Sequence, residues 1–588
     1  MAMNGINMPL SIVGSEAVWY YTLRDLGYSE VGALRYLSGP AFWPYQLTGN
    51  FDSYFALADV KYVEARLALG QKILNREVEL GMSPIMPGFD GRVPGSIVKL
   101  FRKTKMRMIK SWRSFKVSYM IDPLDPLFKK FGSALLEKQK QLLGAYHYYS
   151  CDPFFENEAP SKSRKFLWDV GRMINRLYED FDAQSVWVVQ SKGLDRNLIS
   201  AVPKERLLVI DLEGNAYKET DNFYGYDFIL GSVHNRCDRT VLHGDIKSLA
   251  ENPYLKVKKV APNVVGTGIF AEGINQNPLY FELALDMLTS GTEIDLDKWL
   301  DSYAERRYAS DEDCLKTAVR CLAESCYSPD CTGSETGSVI CARPATELRH
   351  TAPGDTLELR YDNKILLDAA EQLMSAEKAD SDGWRYDICD IMRQVLSNHA
   401  SAQFFRAWNG YKEKNLNDFE RGSNGFLRLC EEIDELLQTR PEFTLHHHLK
   451  QASAQAIAEK DQENFELNVL AQVTVWGPFV KSVNYDMAWR EWGGLIATFY
   501  VKRWQTFFEQ LALEFPRRKI YSNATRKQPD GRNEYTGNYF YKNYEKFEKN
   551  WLSTANPDEP SNEDTVEKAK ELAAKYHNAI NGITVNFE

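Results

Sequence analysis

Short apolar runs alternate with helical patterns over roughly the first half of this chain, and near residue 290 the alternation stops. Repeated strand–helix units predict a parallel sheet, because parallel neighbours need a long crossover and a helix supplies it. The candidate strands are NMPLSIV (7–13), SPIMPG (83–88), YHYYSC (146–151), VWVVQ (186–190), RLLVIDL (206–212), DFILGSV (227–233) and NVVGTGIF (263–270). Between them, residues 59–80 place Val60, Val63, Leu67, Ile73 and Leu74 at helical spacing, and Gly81 suits the position just past a helix end. Further helices are expected over 129–143, 164–181 and 278–290.

Seven strands are one short of the eight that close a parallel barrel. The chain opens directly into MNGINMPLSIV (3–13). The expectation is a (β/α)8 TIM-like barrel lacking its first strand, in a sequence that starts late relative to the fold. This catalytic domain would cover 1–290. Beyond TSGTE (289–293) the pattern turns to amphipathic helices, as in 295–308, 424–438 and 566–580. Residues 291–588 are therefore expected to form an all-α C-terminal domain, broken by loops at 327–357, 521–535 and 557–562. The fold class expected is α/β followed by all-α.

A net charge of −10 argues against nucleic acid or an anionic membrane surface as partner. There is no run of 18 apolar residues and so no expected membrane span. The first residues lack the basic and apolar regions of a signal peptide. Nine cysteines include five between Cys314 and Cys341, with no CxxC pair to suggest zinc. Cys326 and Cys331 are close enough to bridge a short loop, and free thiols are the alternative. One sequon occurs at Asn523.

Two acids close two of the most apolar segments. Glu156 ends AYHYYSCDPFFE (145–156), and Glu272 closes APNVVGTGIFAE (261–272). In a β/α barrel the active site sits where strands run out at their C-terminal ends. Two carboxylates converging there are what cleavage of a glycosidic bond requires. Tyr149, Phe154 and Phe155 would desolvate Glu156, as a general acid needs. Gly266, Gly268 and Gly273 around Glu272 permit close approach of a ligand, or mark bends in the strand.

Other residues have two readings each. His234 and Asn235 could bond sugar hydroxyls or satisfy loop backbone. Trp112 could stack on a pyranose or fill a core, and Trp476 has the same alternatives. Asp152 before Pro153 is either a sugar ligand or a turn carboxylate. The charged run Arg102–Lys110 reads as a solvated face, and His446–His448 as a polar helix surface. No P-loop, GxSxG, HExxH or GxGxxG motif offers a competing chemistry.

At these residues the chain resembles the α-N-acetylglucosaminidase family of glycoside hydrolases, which has lysosomal and bacterial members. The matching runs are MNGINMPL (3–10), GPAF (39–42), GMSPIMPGFDGRVP (81–94), DPFFE (152–156), GTGIFAEGINQN (266–277), WLDSYAERRY (299–308), ICARP (340–344), WGP (476–478) and Arg503-Trp504. The resemblance implies a (β/α)8 barrel followed by an all-α domain, and a retaining mechanism without metal or organic cofactor. It places Glu156 as general acid/base and Glu272 as nucleophile. Asn50, Trp112, Asp152, His234, Asn235 and Trp476 fall on or beside its sugar-binding motifs.

The chain departs from the family at several pocket positions. Arg92 stands where His is frequent, Lys192 where the lysosomal member has a pocket Trp, and Met487 where Tyr is usual. HNRCD (234–238) replaces a glycine-rich, aromatic loop, and FDSYFAL (51–57) replaces a glycine-rich run. The expected function is removal of terminal α-linked N-acetylglucosamine from a glycan. The alternatives are an inactive carbohydrate-binding protein on the same scaffold and a glycosidase for another α-linked sugar. Family members are lysosomal, secreted or periplasmic, so compartment stays open, as does homo-oligomer formation.

Overall fold

The computed structural model describes residues 1–273, 275–331, 335–345, 348–477, 484–516, 525–527, 533–535 and 539–581. Ile274, Pro478 and Asn523 of the runs named above lie outside them. The chain forms two compact units. The first comprises Met1–His234, Pro253–Phe270 and Ala452–Val469; the second comprises Asn235–Asn252, Ala271–Gln451 and Leu470–Glu588.

The first unit is built on a six-stranded sheet: β1 (Ile85–Pro87), β2 (Tyr148–Ser150), β3 (Val186–Gln190), β4 (Leu207–Asp211), β5 (Asp227–His234) and β6 (Val264–Ala271), side by side in chain order. The first five pair in parallel, with Met86 opposite Tyr149, Tyr149 opposite Trp187, Val188 opposite Leu208 and Ile210 opposite Ile229. Residues 7–11 run beside β1. The Ser11 amide donates to Ile85 O (2.9 Å) and the Ile85 amide to Pro9 O (2.8 Å). All seven expected strand segments therefore lie along this sheet, in order.

Side chains alternate between its faces, as the two-residue period of a strand demands. Ile85, Val188, Leu208 and Ile210 pack together on one face with Met8, Tyr148, Ile229 and Phe270. Met86, Tyr149, Trp187, Val189, Val209 and Phe228 belong to the larger core shared with the helices. Helices α1 (Ser15–Asp25), α2 (Val60–Glu79), α3 (Pro126–Leu143) and α4 (Arg164–Phe181) connect the strands. Ser163 caps α4 by accepting from the Phe166 amide (3.2 Å), and Asp125 caps α3 by accepting from Leu127 (2.9 Å). One side of α4 buries Phe166, Val170, Ile174 and Tyr178. At the end of α2, Gly81 takes φ +77°, the left-handed value that favours glycine.

Two features of this unit are not legible from periodicity. Residues 92–93, 106–109 and 118–121 make a small antiparallel sheet with the last segment in the centre. The charged run Arg102–Lys110 thus contains a strand, whose Ile109 is fully buried and whose Arg107 pairs with Asp122 (2.7 Å). The second feature is residues 452–469, which come from late in the chain yet complete this unit. Asp461 Oδ1 accepts from the Ala58 amide (2.9 Å), Asn464 donates to Ala56 O (3.2 Å), and the Phe465 ring meets Tyr62 edge-on at 4.9 Å.

The second unit is mostly helical. It includes α5 (Pro278–Thr289), α6 (Leu296–Tyr308), α7 (Asp313–Glu324), α8 (Asn363–Met374), α9 (Asp382–Glu413), α10 (Leu416–Gln438), α11 (Val501–Glu514) and α12 (Thr565–Asn581). Helix α9 is buried around most of its circumference, so it lacks a clean apolar stripe. Its Arg393 is fully buried between Asp390 (2.7 Å) and Glu491 (2.5 Å), and Ser397 donates to the same Glu491. His448 stacks on Trp492 (3.8 Å) and bonds Glu442 O (3.1 Å). All nine cysteines are free thiols. Among the described residues, no helix is long and apolar enough to cross a membrane.

Candidate active site

Strand β2 runs out at Ser150, and the chain that follows carries Cys151, Asp152 and Glu156. Pro153 has no amide hydrogen to continue the ladder, so the backbone turns away there. Asp152 is 6% exposed and grips the end of β3. Its Oδ1 accepts from the Gln190 amide (2.7 Å) and its Oδ2 from Gln190 Nε2 (2.9 Å). Burial pushes its carboxyl up to about 6, against the pull of those hydrogen bonds. A cavity of about 120 Å³ opens beside it, lined in part by Trp43, Thr48, Asp90, Arg92, Asp152 and Gln190. It sits at the C-terminal ends of β1–β3, where barrel active sites form.

Glu156 is held from two sides. Asn50 Nδ2 donates to its Oε2 (2.6 Å) and Lys192 Nζ to its Oε1 (2.6 Å). The Asn50 amide is oriented in turn by Thr48 Oγ1, which donates to Asn50 Oδ1 (2.6 Å). Asn157 Nδ2 donates to Gly49 O (2.7 Å). Arg92 ties the same parts together, with one terminal nitrogen on Thr48 O (2.9 Å) and the other on Pro153 O (2.5 Å). Its third donor, the buried Nε–H, has no hydrogen-bond partner among the described residues. Trp112 lies in an aromatic group with Phe115 (5.8 Å) and with Phe51 (6.3 Å), the latter the sequence neighbour of Asn50. His234 closes β5, buried at 4% exposure.

In the second unit Glu272 follows the last residue of β6 and is exposed. Its Oε2 accepts from the main-chain amide of Cys237 (2.6 Å). Asn235, Cys237 and Asp238 all have left-handed backbones (φ 54°, 53° and 57°), costly for residues with a Cβ unless the surroundings enforce them. The enforcement is visible. Asn235 Nδ2 donates to Gly273 O (3.2 Å) and Gln276 O (3.1 Å), while its Oδ1 accepts from Asn277 (2.6 Å). Asp238 pairs with Arg490 (3.0 Å).

Arg239, fully buried, bonds Glu335 (3.1 Å), Met487 O (2.9 Å) and Pro353 O (3.1 Å) and lies 3.7 Å from Asp355. Glu335 also accepts from the Arg236 amide (3.0 Å). Burial and the neighbouring Glu272 carboxylate push the Cys237 thiol up. Trp476 is 1% exposed and its amide donates to Ala471 O (2.7 Å).

Of the residues expected from sequence, Asn50 and Glu156 are brought into direct contact, and Asp152 lines the cavity beside their loop. Asn235 has its whole side-chain amide engaged by the protein. Gln190, beside Asp152 in the first unit, and the Cys237 amide, Arg239 and Glu335, around Glu272 in the second, were not legible from the sequence. Their partners lie tens to hundreds of residues away, so no spacing rule reaches them.

A parallel sheet whose strands are linked by helices is the architecture of β/α-barrel proteins, a class that includes glycoside hydrolases. Within it, the chain belongs to the α-N-acetylglucosaminidase family: residues 1–290 match the model of that family's TIM-barrel domain, and residues 299–575 match its C-terminal domain. Human α-N-acetylglucosaminidase is 28% identical over 98% of this chain and 78% of its own length. A family 89 glycoside hydrolase from Clostridium perfringens, solved in complex with PUGNAc, superposes with a TM-score of 0.87 at 26% identity. It is matched over 98% of this chain and 66% of its own, so the present chain spans just under two thirds of that relative. The same bacterial enzyme, with two glutamates replaced by glutamine, has been solved with its substrate GlcNAc-α-1,4-galactose at 25% identity to this chain.

Proposed function

We propose that this chain is a retaining exo-glycosidase that removes terminal α-linked N-acetylglucosamine by double displacement, with Glu272 as nucleophile and Glu156 as acid/base. The observation that carries the reading is that both glutamates follow strands of the parallel sheet, Glu272 directly and Glu156 in the loop beyond β2, in a chain of this family. The bacterial relative supports it. Its two substituted glutamates are spaced along that sequence much as Glu156 and Glu272 are along this one, and its substrate carries α-linked N-acetylglucosamine.

The chemistry of the sugar requires a protein nucleophile. The 2-acetamido group can attack C1 only from the α face, so it cannot displace an α-linked leaving group in line. Retention with an α-linkage therefore calls for a carboxylate on the β face, the role given to Glu272. Glu156 protonates the departing oxygen and then takes a proton from the water that hydrolyses the glycosyl-enzyme. The two carboxyls of such a pair stand about 5–5.5 Å apart. Asp152, Gln190 and Trp112 belong to the sugar pocket in this reading, and the leaving group is the rest of the glycan.

One observation favours a second reading, sugar binding without turnover. The Lys192 ammonium sits on the carboxylate that must carry the proton. The deciding experiment is hydrolysis of an aryl α-N-acetylglucosaminide, with Glu272→Ala as the blank. Turnover that disappears in the variant supports the enzyme. Binding of the sugar with no turnover above the blank sinks it in favour of the second reading.

A further inference from the structure

We propose that Arg92 is a positioning residue for the acid/base: its guanidinium staples the Thr48–Asn50 turn to the Pro153–Glu156 loop and so sets where the Glu156 carboxyl points. The inference rests on the role of Glu156 proposed above and goes beyond it to a residue at which the family frequently has His.

The chain of contacts is continuous. Asp90 holds Arg92 through its main-chain amide (2.9 Å) and through the side chain (3.4 Å). Arg92 then spans two loops, donating to Thr48 O and Pro153 O. Thr48 orients the Asn50 amide, and Asn50 donates to Glu156. A planar fork with several fixed donors can reach two carbonyls at once. The ammonium of lysine is a compact point charge and cannot reproduce that geometry. Both side chains in the pair are buried, so the staple is shielded from water: Arg92 is 6% exposed and Asp90 8%.

Gly49 supplies an independent handle. It has φ +75°, and a Cβ added to it would land on the Arg92 guanidinium. Gly49→Ala therefore evicts the staple without altering Arg92 itself. Gly81 controls for backbone strain, since it has φ +77° and a Cβ added there would meet nothing within 4 Å.

The test compares Arg92→Lys, Gly49→Ala and Gly81→Ala on an activated aryl glycoside and on a disaccharide with a poor leaving group. In the glycosylation step, which kcat/KM reports, a misaimed acid hurts only the substrate that needs protonation; the later base step is common to both. Arg92→Lys and Gly49→Ala should each lose about 10- to 100-fold in kcat/KM on the disaccharide and less than about 3-fold in kcat/KM on the activated glycoside. Gly81→Ala should match the parent on both. Equal losses on the two substrates, or no loss, would overturn the proposal.

A structure of Gly49→Ala gives a readout that does not need turnover. Asn50 Nδ2 should have left Glu156, and an unchanged contact overturns the staple. Absence of turnover in the parent chain would count against the glycosidase reading alone, leaving the structural test to decide the staple.

Discussion

Glu156 and Glu272 both follow barrel strands, but different kinds of partner hold them. Glu156 is gripped by the side chains of Asn50 and Lys192, one of them a flexible ammonium more than half exposed. Glu272 is gripped by the main-chain amide of Cys237, in a loop whose left-handed backbone is locked by Asn235, Arg239 and Asp238. In the proposed roles this difference has a physical sense. An acid/base must gain and lose a proton within each cycle, so partners that can swing away suit it. A nucleophile must hold one aim throughout, and an amide fixed in the backbone cannot rotate away from it.

The sharpest way to break this comparison is to remove each carboxyl in turn. Glu272→Ala should lower kcat by roughly 10⁴-fold or more on every substrate, because the covalent step is gone. Glu156→Ala should cost about 10²- to 10⁴-fold in kcat/KM on poor leaving groups while largely sparing kcat/KM on activated ones, whose turnover is then held back at the base-assisted second step. Equal losses across both substrate classes for both variants would erase the division of roles.

Next in size is the clamp on the Glu272 loop. Arg239→Gln strands two buried carboxylates, Glu335 and Asp355, without their cation. The expected loss is about 3 kcal/mol of stability, read as a lower Tm in thermal unfolding. A Tm within a degree or two of the parent would show that the loop does not depend on the clamp.

The smallest effect concerns Asp152. Its carboxyl is raised in the folded protein to about 6, above the unfolded value near 4. Between those values the folded state keeps a proton that the unfolded chain has released. Stability contributed there therefore falls as pH rises and levels off above about 6. Asp152→Asn removes this slope. The Tm difference, variant minus parent, should climb from pH 4 to pH 6 and then stay flat. A constant difference across that range would contradict burial as the cause.

Much of the first unit was legible because local signals agree with the final fold. Apolar runs marked all seven segments along the sheet, and Ser163, Asp125 and Gly81 stand where the helix ends require them. Signals failed where local and global demands part. The strand at 106–109 hid in a charged run, because Arg107 and Met108 face outward and Ile109 alone is fully buried. Helix α9 escaped notice because burial around most of its girth removes the stripe that betrays a surface helix. Glu156 and Glu272 could be picked out as acids at strand ends. Asn50 and Lys192 were marked as pocket positions by the family's motifs alone, and the Cys237 amide not at all, since all three meet the acids only through the tertiary fold.

The return of residues 452–469 into the first unit has a consequence for biosynthesis. Every strand of the sheet has been synthesised once residue 271 is made, yet Asp461, Asn464 and Phe465 are still to come. Ala58, Ala56 and Tyr62 wait for partners through nearly two hundred further codons. The first unit cannot be completed until residue 469 is made, long after its last strand, and a premature stop before residue 452 leaves it with an open flank although no strand has been lost.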